Sequence, residues 1–112
     1  LSNVGDKLIS AGENTYVSIN KIKATNSYIG IASKDGSESI VKNVDFVEVK
    51  IPFASYQKKK SYNYGLLKIE EPINLNKYKI KSIKDLNSKI YINGKKIKKY
   101  EENVIKRVAK NN

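Results

Sequence analysis

The sequence predicts an all-β solenoid of stacked parallel coils, and three observations carry that reading. A short apolar-x-Ser phrase recurs as Leu8-Ile9-Ser10, Ile31-Ala32-Ser33, Phe53-Ala54-Ser55 and Ile80-Lys81-Ser82. After each copy comes a polar or glycine-containing stretch and then an alternating pair: Val17-x-Ile19, Ser39-x-Val41, Leu67-x-Ile69 and Ile90-x-Ile92. A further apolar position follows at Ile22, Val44, Ile73 and Ile97, extended by Ala24, Phe46 and Leu75 in the first three units. A period in the low twenties built of very short strands marks a chain that stacks its own repeats.

Each unit therefore predicts about three short strands separated by tight turns. Inward side chains of one coil rest on those of the next, about 4.8 Å away. A lone coil buries nothing, so every coil depends on its neighbours. The small Ala32 and Ala54 suit a tight interior position. The recurring serines are expected to stack at a corner, where hydroxyls serve turn amides. The third unit is longer because it carries an extra stretch, "YQKKKSYNYG", from Tyr56 to Gly65. The expectation is a single domain, 1–112, with three to four coils over 4–98 and Ile19, Val41 and Ile69 in one inward column.

The end of the chain follows other rules. "KIYINGKKIK" is strand, Asn93-Gly94, strand, and Asn-Gly favours the positive-φ geometry of a two-residue hairpin turn. Over 99–112 a helical period takes over: Tyr100, Val104 and Val108 share one stripe with Ile105 beside it. Glu101 and Glu102 fall in its first turn and Lys106, Arg107 and Lys110 near its end, which suits the helix dipole. Hairpin and helix together are expected to cap the solenoid, since an uncovered strand edge recruits other chains.

The residues also resemble a family. "GDKLISAGENTYVSINKIKATNSYIGIASKDGS" resembles the coils of right-handed parallel β-helix repeat proteins of the pectate-lyase-like superfold. It is similar in particular to bacterial surface modules found with spore-coat-protein-H-like proteins. "SYQKKKSYNYG" resembles the lysine- and tyrosine-containing excursion of their last coils. The resemblance spans 4–97 and implies right-handed winding and a place in an extracellular or cell-surface protein of a bacterium, a cytoplasmic location staying open. It implies no particular chemistry, because the superfold hosts lyases, hydrolases, adhesins and inert spacers. A chain that starts at Leu1 is expected to be the C-terminal part of something longer.

Composition narrows the chemistry. The net charge is +11, from 22 basic residues against 11 acidic ones, which suggests an anionic partner. The basic residues are 21 lysines and Arg107, a bias that also fits a generic lysine surface. No cysteine offers a disulfide or thiolate metal site, and no apolar run approaches the ~20 residues that span a bilayer. With no histidine, the commonest general base and metal ligand is missing. Asp35, Glu38, Asp45 and Glu48 are the carboxylates considered for acid–base work, but they do not form clustered pairs on successive coils. Lyases of the superfold use calcium-binding aspartates with a basic residue, usually arginine, and here Arg107 lies in the terminal helix. No catalytic residue, metal or cofactor is therefore assigned, and charges beside Gly5, Gly12 and Gly36, such as Asp35, read as solvated turn residues.

Charge and aromatics interleave in one place: Tyr56, Lys58, Lys59, Lys60, Tyr62 and Tyr64. Tyrosine faces stack on sugars and a lysine cluster attracts acidic groups, and a loop on a rigid scaffold is a usual binding surface. The expected function is a non-catalytic structural or binding module that contacts acidic polysaccharide. The alternatives are the C-terminal part of a carbohydrate-active enzyme with catalytic coils upstream, and a basic nucleic-acid-binding domain. An exposed first coil adds a further expectation, self-association into a homo-oligomer.

Overall fold

Residues 7–70 and 78–108 are described by the computed structural model, and among them the chain winds as a parallel β-solenoid of about three turns. The strands are β1 (Lys7–Ala11), β2 (Tyr16–Ile19), β3 (Ile22–Lys34), β4 (Glu38–Val41), β5 (Val44–Tyr56), β6 (Leu66–Ile69), β7 (Ser82–Lys84), β8 (Lys89–Ile92) and β9 (Lys95–Lys96), followed by helix α1 (Val104–Val108). They form two sheets, ordered β1-β3-β5-β7 and β2-β4-β6-β8-β9. Every pairing is parallel except β8 with β9.

Backbone register sets the period at 22 residues over the first coils: Ile9 pairs with Ile31, Tyr16 with Glu38 and Ile31 with Phe53. The expected inward column is present, Ile19 on Val41 on Ile69, and Ile92 extends it. The Val17, Ser39, Leu67 and Ile90 column forms beside it. Ile22 pairs with Val44 and Ala24 with Phe46, whereas Ile73 and Leu75 lie outside the described residues. Ile97 belongs to no such column; it follows the hairpin, and its amide donates to the Ile90 carbonyl at 2.9 Å.

The serine phrase stacks only in the middle. Ser33 does lie on Ser55, but Ser10 pairs with Ala32 and Ser82 with Phe53, so the outer neighbours of the serine column are Ala11 and Lys84. The physical reason is that side chains alternate along a strand, and a one-residue slip turns every one of them to the other face. An interval of 23 would have done so; an interval of 22 keeps Ile9, Ile31 and Phe53 in line.

Two of the three strands expected per coil run together without a break. β3 and β5 are each 13 residues long, and they bend where Asn26 and Glu48 adopt φ of 56° and 57°. These two residues occupy equivalent places, between the pairs Thr25–Val47 and Ser27–Val49. Left-handed backbone suits Asn but costs a residue such as Glu about 1–2 kcal/mol. The opposite corner is turned in the same way by Asn14 (φ 49°) and Asp35 (φ 52°).

Two apolar clusters result. Between the sheets lie Ile31, Val41, Phe46, Phe53, Leu67 and Ile90 among others, with the Phe46 and Phe53 rings tilted at a centroid distance of 6.2 Å. The second cluster gathers Ile29, Ile51, Ala32, Ala54, Tyr56 and Ile83 from three coils, and Val104 and Val108 of α1 close it.

The end of the chain departs from expectation in two respects. Helix α1 starts at Val104, not at 99; Glu101 and Glu102 precede it, Tyr100 is 46% exposed, and 109–112 lie outside the described residues. Its place also differs. Tyr28 of β3 donates its hydroxyl hydrogen to the Arg107 carbonyl at 3.3 Å, and β3 lies two strands in from β7. The helix therefore runs across the outer side of the first sheet. Covering the open end falls to other groups. The Asn93-Gly94 turn, with φ of 53° and 84°, folds β9 against the free edge of β8, and the Glu101 amide donates to the Lys84 carbonyl on the β7 edge at 2.9 Å.

Two outcomes are expected. Glu48→Gly should raise the unfolding free energy by up to about 1 kcal/mol, because glycine accepts positive φ at no steric cost; denaturant unfolding measures it, and a loss of stability would contradict the corner geometry. Val104→Asp with Val108→Asp should cost several kcal/mol, since burial of each valine contributes about 1.5–3 kcal/mol. That double variant should also bind a hydrophobic dye and self-associate in size-exclusion chromatography.

Candidate functional site

The lysine- and tyrosine-rich excursion leaves the solenoid at the end of β5 and is lashed to the coils on either side of it. Asp35 makes the first lashing. Its Oδ1 accepts the backbone N–H groups of Lys58 and Lys59 at 2.7 and 2.8 Å. Its amide donates to the Tyr56 carbonyl at 3.2 Å, and its own carbonyl accepts from the Asn14 amide at 2.9 Å. Asp35 is 1% exposed, so the expectation of a solvated turn carboxylate is corrected here. A carboxylate that takes two amides satisfies buried donors that the irregular turn would otherwise leave unpaired.

Asp85 makes the second lashing from the following coil. Its Oδ2 accepts from the Gln57 amide at 2.7 Å and its Oδ1 from the Ser88 amide at 2.9 Å. Within the excursion the Gln57 side chain donates to the Tyr62 carbonyl, and the Tyr62 amide donates to the Lys59 carbonyl at 3.1 Å. The return to β6 passes through Gly65, where a Cβ would lie 2.2 Å from the Ser33 carbonyl oxygen. Only glycine passes so close to a neighbouring backbone. Beside it, Ser33 Oγ donates to the Leu66 carbonyl at 2.8 Å, and Ser88 Oγ accepts from the Gly65 amide at 3.1 Å. Hydroxyls thus serve this corner as expected, although Ser55 Oγ is buried without a hydrogen-bond partner among the described residues.

The six residues singled out from the sequence separate into groups. Tyr56 is 1% exposed and packs in the cluster that α1 closes, so its ring is withdrawn from any ligand. Lys58 and Lys60 are exposed and have no ion-pair partner among the described residues. Lys59 is exposed and pairs with Glu13 of the first coil. The Glu13 hydrogen bond holds the Lys59 ammonium above the usual lysine range, and in return Lys59 holds the Glu13 carboxyl below the usual carboxylate range. Such a solvated pair adds little stability. Tyr62 is half-buried and Tyr64 is 42% exposed. What reaches solvent is therefore a lysine triplet with one exposed ring and the edge of another.

Two participants escaped the sequence reading. Glu13 carries no local sign of its partnership with a lysine 46 residues away. Tyr100, expected on a buried helical stripe, lines a shallow groove of about 280 Å³ together with Tyr64, Asp85 and Glu102. Of the carboxylates weighed for acid–base work, Asp35 is committed to backbone amides, and Asp45 and Glu48 are exposed on β5. Among the described residues no three acidic side chains gather as a metal site, and no helix is long and apolar enough to cross a membrane.

Asp35→Ala should orphan two amides at about 1–3 kcal/mol each, whereas Asp35→Asn, which keeps an acceptor oxygen, should lose clearly less. Hydrogen exchange at the Lys58 and Lys59 amides provides the check. Unchanged protection in the alanine variant would show that the lashing is not what holds the excursion.

Comparison with known proteins finds no match among family models, curated proteins or solved structures. The resemblance to bacterial surface modules thus gains no support beyond the solenoid itself.

Proposed function

We propose that this chain is a non-catalytic β-helix module that holds acidic polysaccharide on the lysine-rich excursion. The observation that carries the reading is the double lashing of the excursion backbone. Asp35 and Asp85 fix the segment that bears Lys58, Lys59 and Lys60, so the Lys58 and Lys60 ammonium groups are offered from a rigid turn, and Lys59 joins them on exchanging its Glu13 partner for the ligand. Preorganised groups lose less conformational freedom on binding. A net charge of +11 draws polyanions toward the surface as a whole, and the excursion adds the place where a chain could be held. Tyr64 and the edge of Tyr62 supply faces for sugar rings. The resemblance of the 5–37 sequence to that of pectate-lyase-like coils is the ground for reading right-handed winding and a setting at a bacterial surface or in secretion.

The test uses polygalacturonate as the acidic chain. Affinity should fall steeply as salt rises, because released counterions drive such binding. Changing Lys58, Lys59 and Lys60 to serine should lower affinity about tenfold or more. The same change at the exposed Lys95, Lys96 and Lys98 should lower it by no more than about threefold. Equal losses from the two triplets would reduce the binding to general attraction by a basic surface and overturn the reading.

A further inference from the structure

A cleft lies away from the excursion, at the end of the solenoid where the chain crosses from the hairpin to α1. It encloses about 540 Å³, a volume suited to a small organic molecule. Five of the residues lining it are cationic: Lys79, Lys81, Lys84, Lys99 and Arg107. Glu101 is the one acidic residue in the lining, and a single oxygen of its carboxylate accepts from Arg107 Nη2 at 2.8 Å and Nε at 3.2 Å. Apolar surface comes from Ile80, Ile83 and Ile97, with the Tyr100 ring beside them.

Lys84 makes this more than a patch of surface lysines. It is 3% exposed, and its Nζ donates to the carbonyls of Asp85 at 3.0 Å and Leu86 at 3.4 Å, 6.0 Å from the Tyr100 ring centroid. No carboxylate lies within ion-pair distance of it among the described residues. The nearest acid in sequence, Asp85, has both oxygens engaged by the Gln57 and Ser88 amides. Buried charges are ordinarily paired, and this one has only carbonyl dipoles and a ring face. Burial pushes its pKa below the ordinary lysine value, Asp85 opposes that and Lys96 adds to it. The sequence places Lys84 here because β7 pairs it with Ser55 on an inward position, at the last coil, where no further strand among the described residues pairs with it.

We propose that the cleft binds a small organic anion, a carboxylate or phosphate on an apolar body, with the charged group among Lys81, Lys84 and Lys99 and the body against Ile80, Ile83, Ile97 and Tyr100. The inference is independent of the excursion. Lys84 supplies a buried charge with no ion pair among the described residues, the two exposed lysines supply further donors, and the isoleucines exclude water from the far side.

Phenyl phosphate, benzoate and inorganic phosphate are the probes, followed by isoleucine-methyl NMR and by tyrosine fluorescence. Phenyl phosphate and benzoate should shift the Ile80, Ile83 and Ile97 methyls in a saturable, one-site manner. Inorganic phosphate should bind about tenfold more weakly than phenyl phosphate; equal binding would overturn the apolar half of the proposal. Lys84→Met should lower phenyl phosphate affinity about tenfold. Should that variant fail to fold, Lys81→Met with Lys99→Met, both at exposed positions, decides the matter by showing a similar loss. The protein with Lys58, Lys59 and Lys60 changed to serine should bind as the parent does, which separates this cleft from polysaccharide binding. Shifts spread evenly over the isoleucine methyls of the whole chain, or a Lys81/Lys99 variant that titrates like the parent, would overturn the proposal.

Discussion

Everything in this molecule depends on the parallel hydrogen-bond register between successive coils. A coil of 22 residues closes no core by itself; it is stable only when the coil above and the coil below pair with its edges and cover its inward side chains. Columns such as Ile19, Val41, Ile69 and Ile92 are the side-chain expression of that register. The 22-residue interval holds over the first coils, and where β6 and β8 stand 23 residues apart Leu67 still lies on Ile90, because the extra residue is taken up outside the paired strands. Where the chain does carry extra residues, it expels them from the stack at a corner, as the Gln57–Gly65 excursion shows.

Corners are where that constraint is hardest to meet, because backbone that turns sharply cannot stay in a ladder. The fold meets it in two ways. Left-handed residues at equivalent places, Asn26 under Glu48 and Asn14 under Gly36, with Asp35 left-handed beside the latter, let each coil turn without losing the register of the strands on either side. Side chains then serve the backbone groups that the turns release: Asp35, Asp85 and Ser88 accept amides, and the Ser33 hydroxyl donates to a carbonyl. The same devices that let the chain turn make the excursion rigid. A loop tied to two coils is a better platform for ligands than the same sequence free in solution.

The two ends of the stack are treated differently from the sides. At the C-terminal end β9 pairs with the free edge of the second sheet and the Glu101 amide reaches the first. Helix α1 is then free to cover the outer apolar side, where Ala32 and Ala54 leave room for Val104 and Val108 to join the cluster. Between the crossing segment and the β7 edge a cleft remains, and a basic sequence gives it basic walls. Charge that would be unremarkable on an open surface acquires direction once Lys84 is enclosed.

By itself the sequence determined the solenoid class, the alternating columns over 17–19, 39–41, 67–69 and 90–92, the Asn93-Gly94 hairpin and the position of the excursion. These are local signals: strand alternation, repeat spacing and turn chemistry act over a few residues and leave a direct trace. Tertiary structure alone decided the pairing of Ser10 with Ala32, because phrases that look alike are subordinate to the inward-facing pattern of the whole coil. It also decided that Tyr56 is buried while Tyr64 is not, and that α1 lies across the side of the stack, with Tyr28 bonded to the Arg107 carbonyl. It decided too that Asp35 serves amides 23 and 24 residues away and Glu13 a lysine on another coil. Partners of that kind are chosen by the distance between stacked coils, which no spacing within a single coil records.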